Sequence, residues 1–277
     1  RLTMKNGRGE TLQLVQRPVQ PSVSGQGSWP MKTKLYAGYA AEACADCLSA
    51  RPSVGALTVA EVEMRGPVTN VPWTPGSKQP LFVYPNVDDY GYALVGLDSM
   101  SRRNLLNGTL AKVADPFLRA MLWGTLWDEV RAARLHPARF VKLVVRDLLR
   151  ESDEQSVPSQ LGRLSRAMNA YLVDAAHDSL QGTVEEFLWS GVGDSTRSYG
   201  IRRAYLDAFI SVSRTPSAID RLRGLLAADS AAGDAVKDPL RWEIVTHLMV
   251  LGASDASAKL AAQVARDSTP DGRRRAF

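Results

Sequence analysis

From Glu10 the chain alternates loosely between polar and apolar positions through Thr11, Leu12, Gln13, Leu14, Val15 and Gln16, the two-residue period of a half-buried strand. A Gly/Pro/Ser-rich stretch from Pro18 to Gly27 interrupts it. Between Trp29 and Tyr36, Met31, Thr33 and Leu35 share one face while Lys32 and Lys34 share the other. Leu57 to Met64 repeats the pattern, with Thr58, Ala60, Val62 and Met64 opposite Glu61 and Glu63. Leu81-Phe82-Val83-Tyr84 is continuously apolar, as a strand covered on both faces is. Short strands separated by turn signals predict a small antiparallel β-sandwich.

The period then becomes helical. Asp115-Pro116 is a helix start with proline where a missing N–H costs nothing. Phe117, Met121, Leu122, Leu126 and Val130 trace the expected buried stripe of that helix, widened by Trp123 and Trp127. From His136-Pro137 to Arg150, Phe140, Leu143, Val144 and Leu148 form a second such face. Further helices are predicted over Val157–Leu172, Thr183–Trp189, Tyr199–Ser213, Pro216–Ala227, from Asp238 through Ile244, Leu248 and Val250, and over Ala256–Ala265. Helices of this length on short loops form a bundle or an α-solenoid, without a strict sequence repeat.

The two patterns meet in the stretch Pro85 to Asp98. Asn86 and Asp88-Asp89 favour a tight polar turn, because their short side chains bond nearby backbone. Gly91 permits a positive φ or a close backbone approach. Tyr92-Ala93-Leu94-Val95 reads as one more strand, and Asp98-Ser99 as helix N-cap residues. The fold class is therefore α+β in two domains: a small antiparallel β-sandwich over 1–97, then an all-α HEAT-like helical array over 98–277.

Composition changes this picture little. At 277 residues, 45% hydrophobic and 23% charged, the chain has ample apolar material for two cores. The longest apolar run falls short of a membrane span, and residues 1–5 lack the apolar segment of a signal peptide. The chain begins with Arg1 rather than Met, which suggests an excised or processed piece. Its net charge is +5 with a pI near 9.3, but basic residues alternate with acidic ones, as in Arg146-Asp147 and Arg150-Glu151. With only Arg273-Arg274-Arg275 as a like-charge run, neither nucleic acid nor membrane is expected as a partner.

The candidate chemistry is sparse. Cys44 and Cys47 form one C-x-x-C without the two further ligands zinc would need, so they read as loop thiols or a local disulfide, and the compartment stays open. His136, His177 and His247 are scattered, and none belongs to an H-E-x-x-H. There is no G-x-S-x-G, P-loop or G-x-G-x-x-G after a strand. No catalytic residue and no metal ligand is assigned.

Three blocks carry a resemblance: Asn86 through Gly91-Tyr92 to Leu97-Asp98; Asp115-Pro116-Phe117 to Trp127-Asp128; and Asp238-Pro239-Leu240-Arg241-Trp242 followed by Gly252-Ala253, Ala265 to Thr269 and Gly272-Arg273. In order and spacing they resemble the β-sandwich and C-terminal helical domain of aminopeptidase N-like zinc metallopeptidases, the gluzincin family that includes the endoplasmic-reticulum aminopeptidases. The strand at Leu12 to Gln16 followed by Trp29-Pro30 is similar to the same sandwich. This implies the non-catalytic C-terminal half of an enzyme that removes N-terminal residues from peptides, with the helical domain covering the active site and enclosing the peptide cavity.

By that resemblance no cofactor belongs to this chain, zinc belongs to the catalytic domain of the parent, and the partners are that domain, on the same polypeptide, and peptide substrates in the parent cavity. Arg241 is the one peptide-cavity candidate, since its fork could hold a peptide carboxylate; beside a packed Trp242 the favoured reading is a structural bridge. The competing class is a helical-repeat interaction module without enzymatic activity, and a parent whose zinc motif has decayed is a third possibility. The helical array is expected to be cut short, leaving an apolar edge around Trp242 to Ala265 that self-associates.

Overall fold

The computed structural model describes residues 2–6, 11–18, 29–40, 54–55, 59–72 and 80–276. Cys44 and Cys47, and Leu57 and Thr58 of the third predicted strand, lie outside them. Strands β1 (Leu2–Asn6), β2 (Thr11–Gln16), β3 (Met31–Ala40), β4 (Val54–Gly55), β5 (Val59–Met64), β6 (Val68–Pro72), β7 (Phe82–Pro85) and β8 (Val95–Gly96) form two sheets. One has the order β6-β2-β1-β8; in the other, β3 pairs with β4, β5 and β7. All pairings are antiparallel except β1 with β8.

Leu12, Leu14 and Val71 from the first sheet join Leu35, Ala37, Val62, Met64 and Val83 from the second in one buried cluster. The sheets therefore pack face to face, as the alternation predicts. On the outer face Lys32 lies opposite Glu63 and Lys34 opposite Glu61, favourable cross-strand pairs. All four residues of β7 are buried.

After β7 the chain turns through three non-glycine residues with positive φ, Asn86 (108°), Asp88 (61°) and Asp89 (51°). Asn86 closes the turn with both ends of its amide. Its Nδ2 donates to the Gly91 carbonyl at 2.7 Å and its Oδ1 accepts from the Gly91 N–H at 2.6 Å. Tyr92 to Leu94 do not form the predicted strand. Only Val95–Gly96 pair, because the bracketed loop carries Tyr92 (108% exposed) and Leu94 away from both sheets.

Helix α1 (Ser99–Asn104) is capped by Asp98, which accepts from Met100 N at 2.9 Å and Ser101 N at 3.0 Å. Packing continues from sandwich to helices. Val83 N donates to Ser101 Oγ at 2.9 Å, Asn104 Nδ2 donates to the Leu81 carbonyl at 2.7 Å, and Tyr84 Oη meets Thr125 Oγ1 at 3.3 Å.

Thr125 belongs to α2 (Pro116–Arg131), whose first turn is capped by Asp115 with Pro116 in the first position. Trp123 (2% exposed) and Trp127 (8%) both pack on Phe140, with centroids 6.0 and 5.3 Å away. The predicted stripe needs one correction, since Phe117 is 53% exposed and Leu118 is the buried residue of that turn. Leu118, Leu122 and Leu126 repeat every four residues, which rotates Phe117 outward.

By packing, the chain divides into two compact units, Arg1–Leu143 and Val144–Phe277, with the division inside α3 (Pro137–Asp147). The second unit contains α4 (Ser156–Arg166), α5 (Asp174–Gly193), α6 (Tyr199–Val212), α7 (Pro216–Ala228), a small hairpin of β9 (Ser230–Ala231) and β10 (Asp234–Ala235), α8 (Asp238–Val250), α9 (Ala256–Arg266) and α10 (Pro270–Arg275). The α+β architecture, sandwich then helices, is the predicted one.

Two details differ. Helix α5 starts nine residues before the predicted Thr183, because its first turns bury the polar His177 and Gln181 beside Leu180, a face too polar to read as a hydrophobic stripe. On α8, Val250 is 77% exposed while Ile244, Val245 and Leu248 are buried, since two residues past Leu248 is the far side of the helix.

Candidate functional site

Arg241 lies in the first turn of α8, after Asp238-Pro239. Its Nε donates to Gln263 Oε1 of α9 at 3.0 Å, and its Nη1 to Asp229 Oδ1 after α7 at 2.7 Å and to the Leu226 carbonyl at 3.4 Å. The side chain is 15% exposed. Gln263 is itself 2% exposed and donates to Asp238 Oδ1 at 3.1 Å, which also accepts from Arg266 Nε at 3.2 Å. Arg241 is thus the centre of a polar joint linking α7, α8 and α9.

Trp242, 1% exposed, points inward and donates its indole N–H to Asp267 Oδ2 at 2.7 Å. Asp267 also accepts from the Thr269 hydroxyl at 2.6 Å and the Thr269 N–H at 3.1 Å. Thr269, then Trp242, hold its carboxyl below the usual aspartate range. The block from Asp238 to Trp242 and the block from Ala265 to Thr269, separate in sequence, are thereby one physical assembly.

A second polar joint is not among the sequence-based expectations. Glu185 of α5, 2% exposed, accepts through Oε1 from Gln181 Nε2 at 2.6 Å, Arg214 N at 2.6 Å and Thr215 N at 3.0 Å, and through Oε2 from the Thr215 hydroxyl. A carboxylate at the start of α7 meets the positive end of the helix dipole. The spacing His177, Gln181, Glu185, four residues apart, was the available signal.

The histidines serve three separate places. His136 Nδ1 accepts from Ala138 N at 3.2 Å at the start of α3; His177 Nδ1 lies 3.4 Å from Asp178; His247 Nε2 lies 2.8 Å from the Ser213 carbonyl. Among the described residues no three His, Cys, Asp or Glu side chains converge so as to hold a metal ion. No described helix is long and apolar enough to cross a membrane.

Residues 82–277 match the model of the ERAP1-like C-terminal domain. The match takes in the stretch from Pro85 to Asp98, the helices and both polar joints, and the chain belongs to this family, the C-terminal region of aminopeptidase N-like enzymes. It is also similar to Aminopeptidase N of Streptomyces lividans, with 30% identity over 217 residues, 78% of this chain and 25% of that protein. The chain thus spans about a quarter of the length of that curated relative.

Proposed function

We propose that this chain is the non-catalytic C-terminal portion of a zinc aminopeptidase, and that its helical part covers the active site and closes the cavity in which peptides are held. The observation that supports this reading most is the continuous family match from β7 to the end of α10. The catalytic portion of the same polypeptide is the partner, and zinc would be held there by an H-E-x-x-H with a further Glu. In this reading the present portion acts by shape. Arg241, with its Nε and Nη1 on Gln263, Asp229 and a backbone carbonyl, acts as a strut of the helical wall.

Hydrolysis of aminoacyl-anilides tests this reading. The longer protein is expected to hydrolyse them in a chelator-sensitive way, while residues 1–277 alone neither hydrolyse them nor bind stoichiometric zinc. An upstream sequence without H-E-x-x-H, or a longer protein whose preference for peptide length is unchanged by opening the helical wall, would overturn it. Arg241→Ala should lower stability and leave the Michaelis constant for short peptides unchanged. A selective rise of that constant would instead make Arg241 a contact for the peptide carboxylate.

A further inference from the structure

Four exposed apolar side chains lie at one corner of the sandwich. Trp29 is 79% exposed, Tyr90 49%, Tyr92 108% and Leu94 45%. Side chains this large are costly to leave in water, so their mode of display matters. The backbone that displays them is held by side-chain brackets. Gln16 brackets Trp29 as Asn86 brackets Gly91: the Trp29 N–H donates to Gln16 Oε1 at 2.8 Å, and Gln16 Nε2 donates to the Trp29 carbonyl at 3.1 Å.

Both brackets converge on Met31. Gln16 Nε2 is 3.3 Å from Met31 Sδ, and the Met31 methyl fills the space that a Cβ on Gly91 would need. Lys34 holds the Tyr90 side from below, 5.2 Å from the ring centroid and 3.5 Å from Asp88 Oδ2. The loop includes three left-handed non-glycine residues, a conformation that persists only where the surroundings enforce it.

The sheet register says what this corner faces. Leu2 of β1 pairs with Gln16 on one side and with Val95 on the other. Gln16 is the residue that holds Trp29, and Val95 directly follows Leu94. Any polypeptide joined ahead of Leu2 therefore enters between the two halves of the aromatic corner. There its effective concentration is set by a tether of nearly zero length. Aromatic anchors with a methionine between them are the composition of an interface core rather than of a free surface.

We propose that Trp29, Tyr90, Tyr92 and Leu94 form the seat on which the upstream, catalytic portion of the same polypeptide docks. This inference rests on the reading given under Proposed function, and on the matched relative being about four times as long as the matched stretch. The seat fixes the orientation of the sandwich from its first strand, and so orients whatever the sandwich carries.

Hydroxyl-radical footprinting of the full-length protein tests it, with Tyr199, half exposed on α6, as the internal reference. Trp29 and Tyr92 are expected to label on the order of tenfold more slowly than their exposure in residues 1–277 implies, independently of dilution, as for groups closed off from solvent. The double variant Trp29→Ser/Tyr92→Ser should speed amide exchange in 86–96 and at the facing upstream segment, whereas Val250→Ser should not. Labelling of wild-type Trp29 and Tyr92 at the rate of open aromatics overturns the proposal. Protection that disappears on dilution also overturns it, since the occupant would then be a second copy. Absence of a zinc motif upstream would sink the proposed function on separate grounds, since the footprint reports docking whether or not the upstream portion is catalytic.

Discussion

Trp242 and Asp267, twenty-five residues apart, share a 2.7 Å hydrogen bond in which a 1%-exposed indole N–H meets a largely buried carboxylate. The bond ties the start of α8 to the segment after α9, and it is charge-assisted. The folded-state pKa of Asp267 is lowered, by Thr269 first and Trp242 second. A lowered carboxylate pKa contributes stability that is complete above the unfolded value of about 3.9 and is lost as pH falls through the folded one. Urea midpoints should therefore hold from neutral pH down to about 4 and decline below it. Asp267→Asn should lower the neutral midpoint and flatten that acid limb. An unchanged acid limb would mean that other carboxylates dominate.

Trp123 lies edge-on to Phe140, with Trp127 on the same ring. Truncating a buried aromatic of this size leaves a cavity the surroundings fill only in part, so Trp123→Ala should destabilise by about 3–5 kcal/mol. Trp123→Phe should cost clearly less. Equilibrium denaturation followed by far-ultraviolet circular dichroism measures both.

Glycine substitutions should separate by sign. A Cβ on Gly191 would sit inside the ring of Tyr205, which is fully buried and cannot yield. Gly191→Ala should cost about 2–3 kcal/mol, as overpacking of a tight core does. Gly182 and Gly224, also within helices, have open space where the Cβ would go. Alanine there should stabilise by roughly 0.5–1 kcal/mol, because glycine is the poorer helix former. Thermal midpoints of the three single variants decide the matter.

The contrast between α3 and α5 shows what the sequence could and could not reveal. Phe140, Leu143, Val144 and Leu148 are apolar at helical spacing and all four are buried, so α3 was legible from periodicity alone. Helix α5 also buries His177, Gln181 and Glu185, and the last two meet backbone atoms at residues 212–215, about thirty positions away. A pattern that scores hydrophobicity has no access to such pairings.

The same limit explains Arg241. Its place in the first turn of a helix beside an inward Trp242 was readable, but Asp229 and Gln263 were not, because each comes from a different neighbouring element. At Tyr92 to Leu94 a short apolar run read as a strand. The Asn86 bracket and three positive φ values, which no side-chain pattern encodes, removed the segment from the sheet.

Glu185 offers a test of the hidden joint. Its carboxylate receives two backbone N–H groups at the start of α7, where the helix itself supplies no acceptor. Glu185→Gln retains the size, yet it puts an amide that can both donate and accept where only an acceptor fits. The expected loss is about 2–3 kcal/mol, in the range for hydrogen bonds to a charged group. Faster amide exchange should be confined at first to Arg214 and Thr215, and uniform exchange changes across α5 to α7 would show that the whole unit had loosened instead.

Asn86 is the residue on which the junction turns. It adopts φ 108°, and its amide closes a ring with Gly91 through both of its polar ends. Asn86→Ala loses two short hydrogen bonds and also forces a Cβ-bearing residue without a local polar partner into a left-handed conformation. Together these should cost about 2–4 kcal/mol. Asn86→Asp keeps the acceptor for Gly91 N–H but loses the donor to its carbonyl, and it brings a third carboxylate beside Asp88 and Asp89, so it should be intermediate and sensitive to salt. Asn86→Gly relieves the backbone while removing the bracket. If the turn conformation alone matters, Asn86→Gly will be as stable as wild type; if the bracket matters, Asn86→Gly will be destabilised nearly as much as Asn86→Ala. The bracket is expected to dominate, because Tyr92 and Leu94 have no strand partners to hold them once it is gone.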